Sequence, residues 1–521
     1  MATTDGLLPP NGPEREARTE AAALAVTALL NCLLREVARP GPDPGTFELP
    51  ATKRLLRAGG ERFPAAPALR TPGGWRPLPL DDLIALTAAE LRASTGVAND
   101  ALPSEILHSR DVTAVLLAAR RAAPSPAEPF LRSEQALVAG HRYHPAPKAR
   151  GGAGPEEWLR YSPEAHASFA LPLLGVPQEI LVEEGDASAL DRLGPPAGDG
   201  LALLPAHPWQ VDLLGGLPLR HLGATATAAV PTSSIRTVYL PEPDLFCKFS
   251  LDVRITNDVR RLWLRDLRRL GAVVDLVDGA FGDLPEHVPR PAVLRDRGYR
   301  SAELGGDGGE GLAVIVRDGL REHVRPGLTA LMAAGISEGF PGNPLDGLDQ
   351  DRSLLWWERY LEHVVPPVLH AYLRHGVVLE CHLQNVLVAV DEHGIPAQAL
   401  FRDHEGVRVV AERHPELSGA GVVSRSYGWE RLVYCLVTNN LCELAGAVSA
   451  RHPRLREELW ARARTVFKGV GRDHGDPEEL RALLSDSHIP AKANLLLRWT
   501  DAAGEAMRCV PVPNPLRLFT A

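Results

Sequence analysis

The chain has 521 residues, 45% of them hydrophobic, which is enough for a substantial core and about three domains. Lys and Arg number 56 against 65 Asp and Glu, a net charge of -9. That excludes a polycationic chain drawn as a whole to nucleic acid or to an anionic membrane, so any anion site has to be local.

The six cysteines, Cys32, Cys247, Cys381, Cys435, Cys442 and Cys509, lie far apart. They show neither CxxC spacing nor the density of a disulfide scaffold, and read as reduced cytosolic thiols. Residues 1–13 lack periodicity and read as disordered. From 14 to 36, Leu24, Ala25, Ala28, Leu29, Cys32 and Leu33 recur at helical spacing, the apolar stripe of a docking helix. Its apolar stretch, 21–34, is too short for a bilayer span, so neither a secretion signal nor a membrane anchor is expected.

Pro/Gly-rich breaks at 40–45, 122–129, 194–200 and 305–311 divide the chain. Helical patterns at 80–92 and 111–121 predict a mostly helical first unit, 1–125. Short β-like runs at 179–182, 201–204, 238–240 and 245–251 predict a sheet in a mixed second unit, 126–310, and the Gly-rich run at its end reads as a flexible linker. In the third unit, 311–521, residues 353–374 predict a helix with a kink at Pro366-Pro367. A hairpin follows, with strands 386–390 and 397–401 about a turn at 391–394, and then helices at 429–448 and 453–467. The fold class is α+β: a helical N-terminal part, a middle domain with an antiparallel sheet, and a largely helical C-terminal domain around a small sheet. No internal repeat is visible.

The densest polar cluster is His375-Gly-Val-Val-Leu-Glu380-Cys381-His382-Leu-Gln384-Asn385, followed eighteen residues after Asn385 by Asp403. If 380–384 is extended, Glu380, His382 and Gln384 share one side, and the hairpin brings Asp403 back beside Asn385. Carboxylate and amide oxygens suit Mg²⁺ completed by nucleotide phosphates, which makes Glu380, Asn385 and Asp403 the metal candidates and leaves His382 for phosphate or substrate carboxylate. The bland alternative is a buried turn in which His382 and Asn385 cap backbone groups. An Asn and a later Asp bracketing a hairpin also suit a small-molecule kinase, but no phosphate-cradling GxGxxG or Walker sequence precedes them.

A second cluster gathers Thr232, Ser233, Ser234, Arg236 and Thr237, with Lys248 eleven residues on and Arg254, Thr256, Asn257 and Arg260 after it. Hydroxyls and Arg suit phosphate oxygens, and Lys adds a point charge. Arg236 and Lys248 lie in an apolar strand context where an unpaired charge is costly, so each needs an anion, either a ligand or a carboxylate such as Asp252. The arginines at 261, 265, 268 and 269 read as a solvated helix face. His141 and His144, in the run that includes Lys148 and Arg150, read as turn residues, and His207-Pro208-Trp209 as an aromatic turn on the core.

In this order the blocks GHRYHPAPKARGG (140–152), HPWQ (207–210), PTSSIRT (231–237), KFSLDVRITNDVRR (248–261), HGVVLECHLQN (375–385) and RDHEG (402–406) resemble the IucA/IucC family. These are the NRPS-independent siderophore synthetases of the aerobactin-synthetase type. The resemblance implies a cupped hand of thumb, fingers and palm, with ATP and a carboxylic acid meeting between fingers and palm. It implies ATP phosphates on Ser233, Ser234, Arg236, Thr237, Lys248, Gln384 and Asn385, and Mg²⁺ on Glu380, Asn385 and Asp403. It further implies that Arg260 and His382 grip the acid, with Lys492 and Arg498 as late candidates for the same pocket.

The implied reaction is adenylation of a carboxylate, citrate or a citryl derivative being favoured, then condensation with an amine or hydroxyl. Arg236, Lys248, Arg260 and His382 would assist that chemistry. The implied partners are small molecules, with no nucleic acid or membrane; the location is cytoplasmic, and a homodimer is compatible. Two other classes compete: the kinase, which yields ADP, and a non-catalytic siderophore-binding or reductase-like protein. For the latter, an iron-sulfur cluster needs closely spaced cysteines, whereas Cys435 and Cys442 are seven apart and Cys509 stands alone.

Overall fold

The computed structural model describes residues 12–305, 308–419, 421–501 and 508–519. Most of the disorder predicted for 1–13 therefore concerns residues outside the description, as does 306–307 of the linker; Gly308–Gly311 form one helical turn. Helix makes up 42% and strand 23%, and the class is α+β as expected.

The three N-terminal helices are Gly12–Glu36, Leu80–Thr95 and Ala101–Ala122. Between the first two lies an antiparallel five-stranded meander, Arg39–Pro40, Thr46–Leu49, Arg54–Gly59, Ala65–Thr71 and Gly74–Pro77, which corrects the mostly helical expectation. Its strands are short and interrupted by Arg, Gly and Pro. Only Leu49, Leu56 and Leu69 carry its buried face against Leu29 and Leu33, too sparse an alternation to register as strands. The Gly12–Glu36 helix and the stretch Arg425–Arg451 are long and apolar enough to cross a membrane by length and composition only, as core helices of a fold also are, and 50% and 72% of their most apolar windows are buried inside the fold.

The two ends of the chain share one core. Leu495, Leu496 and Trp499 pack with Leu29, Leu33 and Leu83. Glu36 accepts the N–H groups of Leu495 and Leu496 at 3.0 and 2.9 Å, satisfying orphan donors at the start of the Asn494–Trp499 helix.

The middle of the chain builds a six-stranded sheet in the order Val230–Pro231, Thr237–Leu240, Leu245–Phe249, Val314–Asp318, Asp296–Ala302, Leu181–Gly185. Alternation along Leu245–Phe249 sorts its residues by face. Leu245, Cys247 and Phe249 belong to a core with Val314 and Val316. Phe246 turns the other way, into a cluster with Leu387, Ala389 and Leu400. Lys248, two residues on, shares that second face.

Leu387, Ala389 and Leu400 belong to the predicted hairpin, Val386–Val390 and Pro396–Phe401. Gly394, at φ 77°, closes its turn with an N–H to Asp391 O of 2.9 Å. Eight buried apolar residues form this seam. At roughly 2 kcal/mol for each large side chain, gross burial on the order of 10 kcal/mol fixes hairpin against sheet.

Beneath the hairpin runs the helix Gln350–His375, capped by the Asp349 side chain and by left-handed Gly376, and continuous through Pro366 and Pro367. Trp356, Trp357 and Tyr360 are fully buried along it. The helix predicted at 429–448 is observed as Arg425–Val433, a π-helical stretch Tyr434–Leu441, and Cys442–Arg451. Asn440, in the π stretch, donates to Cys381 O at 2.9 Å and accepts from Tyr360 Oη at 2.5 Å, so the wide turns hold the 380–385 loop in place.

Candidate active site

Where the apolar seam ends, the same two surfaces carry charge. Lys248 Nζ lies 2.5 Å from Asp403 Oδ1 and 2.6 Å from Glu405 Oε2. Arg317, in register with Phe246 and on the same face, reaches Asp403 Oδ1 at 2.7 Å and Asp296 at 2.6 Å. Arg236 donates to Arg260 O at 2.9 Å and approaches Glu405 at 3.7 Å. Its Nε is buried without a hydrogen-bond acceptor among the described residues. A buried guanidinium N–H left over in this way is a donor that one more anionic oxygen would satisfy.

On the opposite wall, 380–385 forms a turn, with Asn385 N–H returning to His382 O at 2.9 Å, which corrects the extended reading of this segment. The turn still gathers the expected groups. Arg402 N–H donates to Asn385 O at 3.1 Å, extending the hairpin by one rung and setting Asp403 beside Asn385. Gln384 Nε2 donates to Ser233 Oγ at 3.1 Å, joining the loop to the hydroxyl-rich turn. That turn is shaped internally: Thr232 Oγ1 donates to Thr237 O at 2.8 Å, and Thr237 N–H to Ser234 O at 3.0 Å.

Burial and charge act against each other here. Burial pushes the Glu380 and Asp403 carboxyls up, but Arg431 and His382 around the first, and Lys248 and Arg317 around the second, hold both below the ordinary carboxylate range. Burial pushes His382 down, only partly opposed by Glu380 and Asp403, so the imidazole is neutral near pH 7. His141 faces the same space. It is exposed and lies within the field of Arg35, Lys492 and His382. Lys492 lies within the field of Asp258, Arg431, Glu380 and Arg260.

Three residues here have positive φ: Ile235 at 21°, Thr256 at 59° and Asp403 at 76°. For β-branched side chains this is a strained backbone, of the kind that clusters at functional sites. Thr256 Oγ1 accepts from Arg260 Nη2 at 2.8 Å, and Ile255 O accepts from the same nitrogen at 2.9 Å, which fixes the Arg260 side chain.

For the remaining residues some expectations change, those for Asp252 and Arg498, and the structural readings of His144 and His207 stand. Asp252 is not the partner of Arg236 or Lys248: it binds Arg261 at 2.6 Å and Gln210 at 2.9 Å. Arg498 is drawn to Glu105 and to Asp501 at 3.3 Å, an internal pairing that makes it a structural residue. Lys148 and Arg150 converge on buried Glu164. His144 meets Asn257 Oδ1 at 3.2 Å, and His207 packs against Tyr161, Phe169 and Phe249, both as structural residues.

The sequence reading missed Arg317, Asp296, Arg431 and Glu134. Glu134 binds Arg402 Nη1 at 2.6 Å and accepts Ser233 N–H at 3.1 Å, tying both walls together. A lone Arg in the apolar strand Val314–Asp318 was the available signal for Arg317; Glu134 and Arg431 sit on helices with nothing to single them out.

Residues 129–338 match the IucA / IucC family model. Over this segment the chain is similar to the IucA/IucC family. Rhizobactin siderophore biosynthesis protein RhbC of Rhizobium meliloti is 31% identical over 368 residues, 61% of this chain and 63% of that protein's length. The L-2,3-diaminopropanoate–citrate ligase of Staphylococcus aureus is 28% identical over 74% of each chain. Among solved structures, ATP-bound aerobactin synthetase IucA from Klebsiella pneumoniae superposes with a TM-score of 0.83 at 22% identity, covering 95% of this chain and 99% of that one. Residues 354–507 also match a model described as a ferric iron reductase FhuF-like transporter, and this is the part that carries Glu380, Asp403 and Arg431.

Proposed function

We propose that the chain adenylates a carboxylate of a small polycarboxylic acid, citrate or a citryl derivative, with ATP and passes the acyl group to an amine or hydroxyl in cytoplasmic siderophore assembly. The observation that carries this reading is the apposition of Arg236 and Lys248, on one sheet face, to Asp403 and Glu405 across the seam. The relatives named as citrate ligases favour the acid, and the ATP-bound neighbour favours the nucleotide.

In this reading a carboxylate oxygen attacks the α-phosphorus of ATP and pyrophosphate departs. A neutral amine or a hydroxyl then attacks the acyl carbon, AMP leaves, and the nucleophile's proton passes to solvent. Arg236 and Lys248 stabilise charge on the phosphate oxygens, and the buried Arg236 Nε supplies the donor left over in the protein. Ser233, Ser234, Thr237 and Gln384 line the phosphate side. Arg260, fixed by Thr256, with neutral His382 and Lys492, orients the acid for in-line attack.

Glu380, Asp403 and Asn385 offer the hard oxygen donors that suit Mg²⁺, which would neutralise the phosphates when bound. Glu380 and Asp403, now paired with Arg431 and Lys248, would be the residues that hold it.

The test incubates the protein with ATP, Mg²⁺, hydroxylamine and a panel of carboxylic acids. Acid-dependent hydroxamate with AMP and pyrophosphate is the expected result. Release of ADP would replace this reading with phosphoryl transfer, and no nucleotide binding would replace it with a non-catalytic role.

A further inference from the structure

Away from the catalytic groove, three helices end at one place. The helix Leu270–Gly282 is followed by Asp283 as its C-cap, the helix Gln350–His375 ends on His375, and the helix Arg456–Asp473 is followed by His474 as its C-cap. One turn back from His375, His370 points into the same space. Helix C-termini carry partial negative charge, so their convergence favours a cation.

The side chains there have the chemistry of a transition-metal site. One ligand atom from each of Asp283, His370 and His375 lies within 4.8 Å of the others. His375 Nε2 is 3.0 Å from Asp283 Oδ2, and His370 Nε2 is 3.9 Å from the same oxygen. These separations bracket the roughly 3.3 Å edge of a tetrahedron with bonds of about 2.0 Å. The His474 ring packs edge-on beside that of His370, with centroids 5.1 Å apart.

His370 supplies a second observation. It is 5% exposed, yet neither ring nitrogen has a hydrogen-bond partner among the described residues. A buried imidazole in that state is costly unless something ligates it. The other cation present is Arg374, 3.6 Å from Asp283 Oδ2 and two-thirds exposed, free to swing into solvent.

We propose that His370, His375, His474 and Asp283 form a binding site for a divalent transition metal of zinc-like preference, separate from the catalytic Mg²⁺ groove. Imidazole-rich sets with one carboxylate suit Zn²⁺ or Co²⁺ and not Mg²⁺. The ion clamps three helix ends, and one of them leads within five residues, from His375 to Glu380, into the catalytic loop. Its role is structural: it fixes the base from which that loop departs.

The experiment uses the full chain, dialysed against a chelator and titrated with Co²⁺ and Zn²⁺ by calorimetry and visible spectroscopy. One equivalent of Co²⁺ with ligand-field absorption, displaced by Zn²⁺, is expected, together with a Zn²⁺-dependent rise in Tm. His474→Ala and Asp283→Asn, both at accessible positions, should each weaken binding about tenfold or more and abolish that rise while keeping the chelated-state Tm. Glu380→Gln with Asp403→Asn should leave the Co²⁺ site intact. The proposal is overturned if the wild-type chain takes up no Co²⁺ or Zn²⁺, if the His474 and Asp283 variants bind as the wild type does, or if the Glu380/Asp403 variant loses the site.

Discussion

Lys248 Nζ and Asp403 Oδ1 are 2.5 Å apart although 155 residues separate them in the chain. The lysine comes from the central sheet and the aspartate from the open end of a hairpin in the C-terminal part, so this contact joins the phosphate-binding candidates to the metal candidates. Two carboxylates share the one ammonium group, since Glu405 lies 2.6 Å away.

Lys248→Met removes that ammonium from a nearly buried position and leaves both carboxylates facing Arg236 and Arg317 alone. Loss of one member of a buried pair costs about 3 kcal/mol, visible as a lower urea midpoint. Loss of a phosphate-directed cation lowers kcat roughly 10²- to 10³-fold. Pyrophosphate release measured on the folded variant checks the second effect; unchanged kcat would remove Lys248 from the chemistry.

Gly406→Ala tests the position of Glu380 without touching either charge. A methyl group at 406 overlaps Glu380 Oε2, the end of a flexible side chain, so the carboxylate shifts while the backbone stays. The expected outcome is a Tm close to wild type and a Mg²⁺ requirement raised about tenfold, read from the rate as a function of Mg²⁺. A wild-type Mg²⁺ curve would show that Glu380 does not hold the ion.

Asp296→Asn tests the support behind Asp403. Asp296 is fully buried and holds Arg317 by two contacts, 2.6 and 3.2 Å, and the His404 N–H at 2.8 Å. Burial alone would raise its pKa, but Arg317 and His404 outweigh that and hold it below the ordinary value. A depressed carboxylate contributes stability that is complete above the unfolded pKa of about 3.9 and is lost as pH falls through the folded pKa. The wild type should lose Tm steeply on acidification below about pH 4, and Asp296→Asn should start lower at pH 7 and fall less. Parallel Tm curves for the two proteins would contradict this.

His382 titrates below its ordinary value of about 6.5, because burial outweighs Glu380 and Asp403. Under the proposed function it therefore meets substrate as a neutral imidazole with a single N–H, not as a cationic clamp. The kcat/KM profile should therefore be flat through pH 6.5, with any His382-dependent limb displaced to the acid side and absent in His382→Asn. A wild-type limb centred at 6.5 that disappears in the variant would refute the assignment.

The hairpin, the long helix at 350–375 and the polar clusters on either side were legible because each rests on local signals: a 391–394 turn, a 3.6-residue stripe, and oxygen-rich runs within a dozen residues. The 39–77 meander was not, since its buried face is three leucines on short strands. Likewise Arg317, Arg431 and Glu134 gain their roles only through partners distant in the chain.

Residue order therefore pointed to the side chains proposed for phosphate, metal and acid, and to the family that the chain resembles. It could not say which carboxylate meets which cation: Asp252, close to Arg236 in sequence, went to Arg261, while Lys248 found Asp403 and Glu405. That choice was made by the apolar seam of Phe246 with Leu387, Ala389 and Leu400. Burial of the seam sets hairpin against sheet, and long-range charges pair only after such packing has fixed where their backbones lie.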